Sequence, residues 1–418
     1  MDLRVAVVGA GYAGMAAAVT LAERGVPVTV FESGALPGGR ARRVQAQGET
    51  LDNGQHILLG AYAELQRLMR LVGVPSDAVL RLPLELRFAD GFALRALWLP
   101  APLGLPGGLL AASGLPPRER LGAIRFLVSL WRGKFRVEPD CTVASLLARY
   151  RQEGRISQYV WRPLCVSALN TPIEQASAQA FATVLRDAFA GEPGASDLLL
   201  PRVDLSRLFP EPACDFVRAH GGEVRMGAAV RSISPGLRVD GETYSRVVIA
   251  VGPHQLRAFA ALLGPLPEYS YQPIYTCYLQ YPQSTKLPYP MLGLAHGVVQ
   301  WAFDRGAVMS RACPEPGRIA CVISAQGVHQ QLSQDTLAAT CHSELAAALG
   351  GLPEPHWWRV IGEKRATISC TPGLRRPGPD TPTPGVVLAG DYTDAQYPPT
   401  LEAAVRSGVR AAHAVLGA

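Results

Sequence analysis

An α/β fold, with a parallel sheet assembled from separated stretches of chain and a second α+β part interleaved with it, is what this sequence predicts. One observation is local: Arg4-Val-Ala-Val-Val8, a glycine turn, a small-residue helix and Val26 to Phe31 follow one another as strand, turn, helix and strand. The others are distant: Val247-Val-Ile-Ala-Val251 and Gly385-Val-Val-Leu388 are apolar β-branched runs of the kind buried on both faces of a parallel sheet. The 418 residues are 48% apolar and 18% charged, which excludes disorder and suits one large or two interleaved domains. Gly 42 and Pro 35, scattered without period, indicate many turns.

Charge and cysteine content exclude several classes. Lys+Arg 40 against Asp+Glu 34 leaves +6, too weak a balance to argue for nucleic acid as a partner. Lys134, Lys286 and Lys364 are the only lysines, so the positive charge is guanidinium, suited to phosphates and anionic head groups. The eight cysteines have no CxxC or Cys/His ligand spacing, so neither a metal site nor a disulfide framework is expected, and a reducing compartment is. Arg4 lies inside the first apolar stretch, which reads as part of the fold and not as a signal peptide. The uncharged run Ala96 to Pro117 contains Pro100, Pro102, Pro106, Pro116 and Pro117, which forbid one continuous membrane-spanning helix.

The first unit carries Gly9-Ala-Gly11-Tyr-Ala-Gly14 between its strand and the helix Ala13 to Glu23. Gly9 permits the tight turn, Gly11 lets a pyrophosphate approach the backbone, and Gly14 lets helix and strand pack closely, as in a Rossmann-like nucleotide-binding fold. The helix N-terminus then offers free N–H groups to phosphate. Glu32, ending the second strand, is placed to accept ribose hydroxyls and to disfavour a 2′-phosphate.

A second glycine loop, Gly34 to Arg40, follows at once; Gly39 and Arg40 are expected to return to the same pyrophosphate. Nicotinamide dehydrogenases have no need of such a loop, so FAD is favoured over NAD. A strand over Gly222 to Val230 is expected to bond the adenine through the Val230 backbone, followed by a hairpin at Asp240-Gly241 and the Val247 strand. After Gly385 to Leu388 come Gly390-Asp391 and then Pro398-Pro-Thr400-Leu401-Glu402, a helix start with Thr400 as N-cap, which can aim its positive end at a flavin ring.

Leu51-Asp-Asn-Gly-Gln-His-Ile-Leu-Leu-Gly-Ala-Tyr62, Trp161-Arg-Pro-Leu-Cys-Val-Ser-Ala-Leu-Asn170-Thr-Pro172 and Leu388-Ala-Gly-Asp-Tyr-Thr393 with Glu402 are more specific than the glycine fingerprint. On these motifs the chain resembles the amine oxidase and plant-type phytoene desaturase superfamily of FAD proteins along nearly all its length, and within it the hydroxysqualene dehydroxylases. The resemblance implies a Rossmann-like FAD-binding domain of glutathione-reductase-2 type with a discontinuous α+β substrate domain. Residues 1–60, 205–265 and 365–418 would form the first, and residues 61–204 and 266–364 the second. It implies an oxidoreductase reaction in squalene and hopanoid biosynthesis: hydroxysqualene loses its allylic hydroxyl and gains hydride from reduced flavin.

Such a reaction needs a proton donor at the leaving oxygen. The resemblance places the loop Asp52-Asn53-Gly54-Gln55-His56 along the flavin ring, with Gly54, Gln55 and His56 as cofactor contacts and Asp52 or His56 as the acid. Asp52 as an acceptor of backbone N–H groups and His56 as a flavin partner are the alternatives. Tyr392 and Tyr397 are expected near the ring, where aromatic faces stabilise an allylic cation or simply pack. Asn170 and Gln396 are expected at the substrate, with Trp161 there as well unless, as its type favours, it only packs in the core, and with Asp187 a further candidate unless it only pairs with Arg186. An oxidative polyprene desaturase, an amine oxidase, or a redox-neutral isomerase would use the same scaffold.

A long prenyl alcohol is delivered from a bilayer. In Arg118 to Arg136, Leu121, Ile124, Leu127, Val128 and Trp131 recur at helical spacing with an arginine-rich fringe. The segment 97–136 is the expected contact with an anionic membrane surface, on the cytoplasmic face, unless the helix only packs on its own domain. No second nucleotide fingerprint exists in the sequence, so electrons come from a reductase, a ferredoxin or transient NAD(P)H.

Overall fold

The computed structural model describes residues 3–97, 99, 103–189, 191–192, 194–394 and 397–417. Five short strands form a parallel sheet in the spatial order Glu223–Arg225, Val28–Phe31, Val5–Val8, Arg246–Ile249, Val386–Leu388. The inner strands Val5–Val8 and Val28–Phe31 are buried throughout, which is why they read as unbroken apolar runs. The expected strands are therefore all present, trimmed by one or two residues, apart from the stretch leading to Val230. There the strand ends at Arg225, the chain turns at Gly227 with φ +67°, and Val230 lies in irregular backbone. The hairpin at Asp240-Gly241 forms as expected, with both residues at positive φ.

The helix Tyr12–Glu23 is buried from Tyr12 to Ala22. It packs on the parallel sheet side by side with the C-terminal helix Leu401–Leu416, which also touches the strands Arg246–Ile249 and Val386–Leu388, and a run of alanines allows the close approach of the two helices. Two glycines set the distance. A Cβ on Gly14 would stand 1.9 Å from the Gly9 carbonyl oxygen, and one on Gly408 would stand 2.1 Å from the Ala13 carbonyl oxygen.

The second sheet is antiparallel, in the order Met291–Gly293, Trp301–Asp304, Arg318–Ser324, Tyr271–Gln280, Trp357–Ile368. One face packs on the helix Gln334–Leu349 through Cys277, Cys321, Cys341 and Leu345. The other carries Tyr278, Trp301, Phe303 and Val322 into the core of a helical region that includes Arg162–Leu169 and Ala178–Phe189. The expected basic helix runs Pro117–Arg132 and stops four residues early, because Gly133 is followed by Lys134 and Phe135 in left-handed backbone. Among its described residues the proline-rich stretch before it forms the short helix Gly104–Ala111, and no helix among the described residues of the chain is long and apolar enough to cross a membrane.

Candidate active site

A cavity of about 830 Å³ extends from the first glycine turn, past the loop at residues 53–57, to the apolar face of the antiparallel sheet. Its polar end is made by the first βαβ unit. Gly11 is the N-cap of helix Tyr12–Glu23 and has no side chain with which to cap it, so the first-turn N–H groups face the cavity unsatisfied, as an anion site requires. Gly39, at φ +61°, comes up opposite: a Cβ on it would stand 3.3 Å from the Gly11 Cα, so the two glycine loops together form a slot that side chains would close. Glu32 holds both loops, its Oε2 accepting the Ala10 N–H at 2.8 Å and its Oε1 the Gly34 N–H at 2.7 Å. Among the described residues nothing pairs with the Val230 backbone, which lines the same end.

Arg40 is committed to the protein. Its guanidinium donates to Asp391 Oδ1 and to the Ala366 carbonyl, both at 2.7 Å, and both acidic and basic partner line the cavity. Beyond them Gly390 carries no side chain where the ring of Tyr392 lies within 2.2 Å of the Cβ position, so that aromatic lies flat on the backbone at the cavity wall. The helix Leu401–Leu416 also presents its N-terminus here. Thr400 caps it through the Ala403 N–H at 3.2 Å, leaving the first-turn N–H groups of Leu401 and Glu402 unused by the helix.

The central loop is clamped at several points. The Gln55 N–H donates to Thr276 Oγ1 at 3.2 Å, and Asn53 Nδ2 to the Arg40 carbonyl at 3.0 Å. His56 lines the cavity with Nδ1 2.9 Å from the Gly54 carbonyl; burial lowers its pKa, so the imidazole is neutral at pH 7 with Nδ1 donating. The far arm of the cavity is apolar. Leu84, Leu164, Leu185, Phe189, Trp301 and Phe303 form its wall, with Ser167 and Ser324 as the few polar groups.

Several expected contacts are not made. Asp52 does not line the cavity: its Oδ1 accepts the Leu205 N–H at 2.8 Å and its Oδ2 lies 3.4 Å from Arg305, while burial pushes its pKa up to about 6. Of the two alternatives for this carboxylate, the structure selects the acceptor of backbone N–H, and the acid role is withdrawn. Glu402 points away from the cofactor end and caps a different helix, accepting the Glu64 and Leu65 N–H groups at 3.1 and 3.0 Å. Tyr397 is buried beneath Arg406, whose guanidinium carbon sits 4.5 Å above its ring. Trp161 is fully buried, donating to Gln152 Oε1 at 3.1 Å, and its motif reaches the cavity through Pro163, Leu164, Ser167 and Ala168 instead. Asn170 borders the cavity, but its side chain accepts from Ala325 N–H at 2.8 Å and donates to Thr367 Oγ1 at 3.1 Å, stitching strands together. Gly14 acts through packing alone, and Asp187 pairs with Arg186 at 2.7 Å. Gln396 lies outside the described residues.

Sequence reasoning missed the apolar wall and Arg305. The wall had a readable signal, since Trp301 and Phe303 alternate along a strand and so share one face. Arg305 had none. Its partners Asp52, Gln55 and Glu315 are brought together only by the fold.

Two glycine loops over a βαβ unit, a capped helix N-terminus from the far end of the chain and an apolar arm define a flavin-dependent oxidoreductase. The match to the flavin containing amine oxidoreductase family spans residues 12–416, and the chain belongs to that family. Hydroxysqualene dehydroxylase of Rhodopseudomonas palustris is 31% identical over 100% of this chain and 99% of its own. The enzyme of the same name from Sinorhizobium fredii is 28% identical, again over 100% of this chain and 99% of its own. Among solved structures, an oxidoreductase from Methanosarcina mazei superposes with a TM-score of 0.75 at 14% identity, covering 99% of this chain and 100% of that one, a likeness of fold.

Proposed function

We propose that the protein holds FAD in this cavity and reductively removes the hydroxyl of hydroxysqualene to form squalene. The observation that carries the proposal is the apolar arm opening directly beyond the His56 loop, in a chain alike from end to end to proteins named hydroxysqualene dehydroxylase.

The residues fit FAD. Glu32 would take the ribose, the first turn of helix Tyr12–Glu23 and the Gly39 loop the pyrophosphate, the Val230 backbone the adenine, and the first turn after Thr400 the flavin end. When bound and reduced, the cofactor supplies a hydride equivalent. The chain supplies the rest. Its apolar wall seats the prenyl tail and excludes water that would trap an allylic cation. His56 moves the proton: Nδ1 is engaged with Gly54, so once Nε2 has taken up a proton from solvent the imidazolium, a minor form at pH 7, passes that proton to the departing hydroxyl, which leaves as water. Tyr392 contributes an aromatic wall to the same cavity. One proton and one hydride convert alcohol to hydrocarbon plus water, and an external donor, whether reductase, ferredoxin or NAD(P)H, returns two electrons to the flavin.

Anaerobic incubation of the reduced protein with hydroxysqualene tests this. Squalene formed in step with flavin reoxidation is the expected result. Rearranged alcohol with the flavin unchanged would indicate an isomerase, bleaching of oxidised protein by squalene or phytoene an oxidative desaturase, and either outcome overturns the proposal.

A further inference from the structure

Of the ten large hydrophobic side chains exposed among the described residues, seven fall between residues 97 and 131: Leu97, Leu99, Leu103, Leu110, Leu121, Val128 and Trp131, exposed by 37–56%. The helix Pro117–Arg132 is apolar on two faces. Ala123, Phe126, Leu127 and Leu130 recur at i, i+3, i+4, i+7 and are buried in the core. Leu121, Val128 and Trp131 recur at i, i+7, i+10 and form a second, exposed stripe, with Ile124 at i+3 half-buried between it and that core. A helix that only packed on its own domain would have no use for the second stripe.

Charge says what covers it. Arg118, Arg125 and Arg132 stand seven residues apart, so they run along one edge of the outer stripe at intervals of two helical turns. All three are exposed, and no carboxylate pairs with them among the described residues. The one acidic residue of the helix, Glu119, is turned inward to the Ile156 N–H at 2.8 Å. An apolar stripe edged by unpaired guanidinium groups fits the boundary of a lipid leaflet with anionic head groups. The patch is also next to the cavity. Leu84 and Leu86 line the apolar arm, Leu86 is paired with Leu94 across a hairpin, and the Ala96 N–H donates to the Leu84 carbonyl at 2.9 Å. The chain then continues at once into Leu97 and Leu99.

We infer that the outer stripe of helix Pro117–Arg132, together with the exposed Leu97, Leu99, Leu103 and Leu110, docks the protein on an anionic bilayer surface. The inference goes beyond the reaction, and its test uses vesicles without substrate, so that its failure leaves the dehydroxylation reading untouched. Flavin-loaded protein is sedimented at low ionic strength with vesicles of phosphatidylcholine containing phosphatidylglycerol, and with phosphatidylcholine alone. Preferential binding to the anionic vesicles is expected, with a blue shift of Trp131 fluorescence that Trp131→Phe abolishes. The triple variant Arg118→Gln, Arg125→Gln, Arg132→Gln should weaken binding by about a hundredfold while retaining flavin. Absence of binding to either vesicle overturns the inference. So does unchanged binding of the triple variant, or a protein dimer in solution that dissociates on Leu121→Ser with Trp131→Ser, which would make a second copy of the chain the occupant.

Discussion

Arg305 donates from Nη1 to the Oε1 of Gln55 at 2.8 Å, tying the end of one wall of the substrate arm to the loop at the cofactor end. The strand Trp301–Asp304 that precedes Arg305 carries Trp301 and Phe303 into the arm, so one guanidinium, only 1% exposed, sets the spacing between wall and loop. Its other partners are Glu315 at 2.9 Å and Asp52. Removing it leaves the buried Asp52 carboxylate without a cation and Glu315 with Arg318 alone, 3.4 Å away. Arg305→Leu should therefore cost about 3–5 kcal/mol, read by denaturant unfolding, and lower the flavin content of the purified protein.

Asp52 provides a pH signature. Its pKa stands near 6 in the folded protein against an ordinary 3.8, so between about pH 4 and 6 the folded state holds a proton that the unfolded chain has released. The stability this contributes is present at the acid end and lost as pH rises through the window, on the order of 3 kcal/mol. The stability difference between the protein and Asp52→Asn should change with that sign and flatten above pH 6. Losing a general acid would slow turnover by about a hundredfold or more, whereas Asp52→Asn is expected to keep it within about threefold.

His56 is expected to govern turnover where Asp52 governs stability. Burial lowers its pKa below the ordinary imidazole range, so the protonated form, and with it kcat, should fall as pH rises through a value under 6.5. In His56→Gln the rate should drop by about a hundredfold at acidic pH and lose this dependence. A pH–rate profile parallel to that of the unaltered protein would remove His56 from the proton path.

Glu402 separates capping from cofactor binding. Truncation to alanine takes the cap from the helix Ala63–Leu71 and an ion pair from Arg406, 2.7 Å away, and should cost about 1–2 kcal/mol. The absorbance ratio of flavin to protein should stay unchanged, since the carboxylate is directed away from the cavity.

Gly14 and Gly25 make a matched pair. Gly14→Ala pushes a methyl to 1.9 Å from the Gly9 carbonyl, so the glycine turn must move and flavin binding should be lost, with destabilisation of about 3 kcal/mol. Gly25→Ala, at φ +73° with nothing within 4 Å, should cost only about 1 kcal/mol and leave the flavin in place.

What sequence alone determined is everything whose cause is local. The first strand, glycine turn, helix and second strand lie within one short stretch, and Gly9, Gly11, Gly14 and Glu32 have their reasons in turn geometry, helix termini and strand ends. Strands at Val247 and Val386 were legible because apolar β-branched runs record burial directly. Tertiary structure alone decided which polar groups face the cavity. Asp52 turns inward because Leu205 and Arg305, remote in sequence, offer it an N–H and a cation, and Glu402 turns to the open N–H groups of a helix begun at Ala63. A buried carboxylate goes where donors compensate its desolvation, and the position of donors from other parts of the chain is settled only when the sheets and helices have packed.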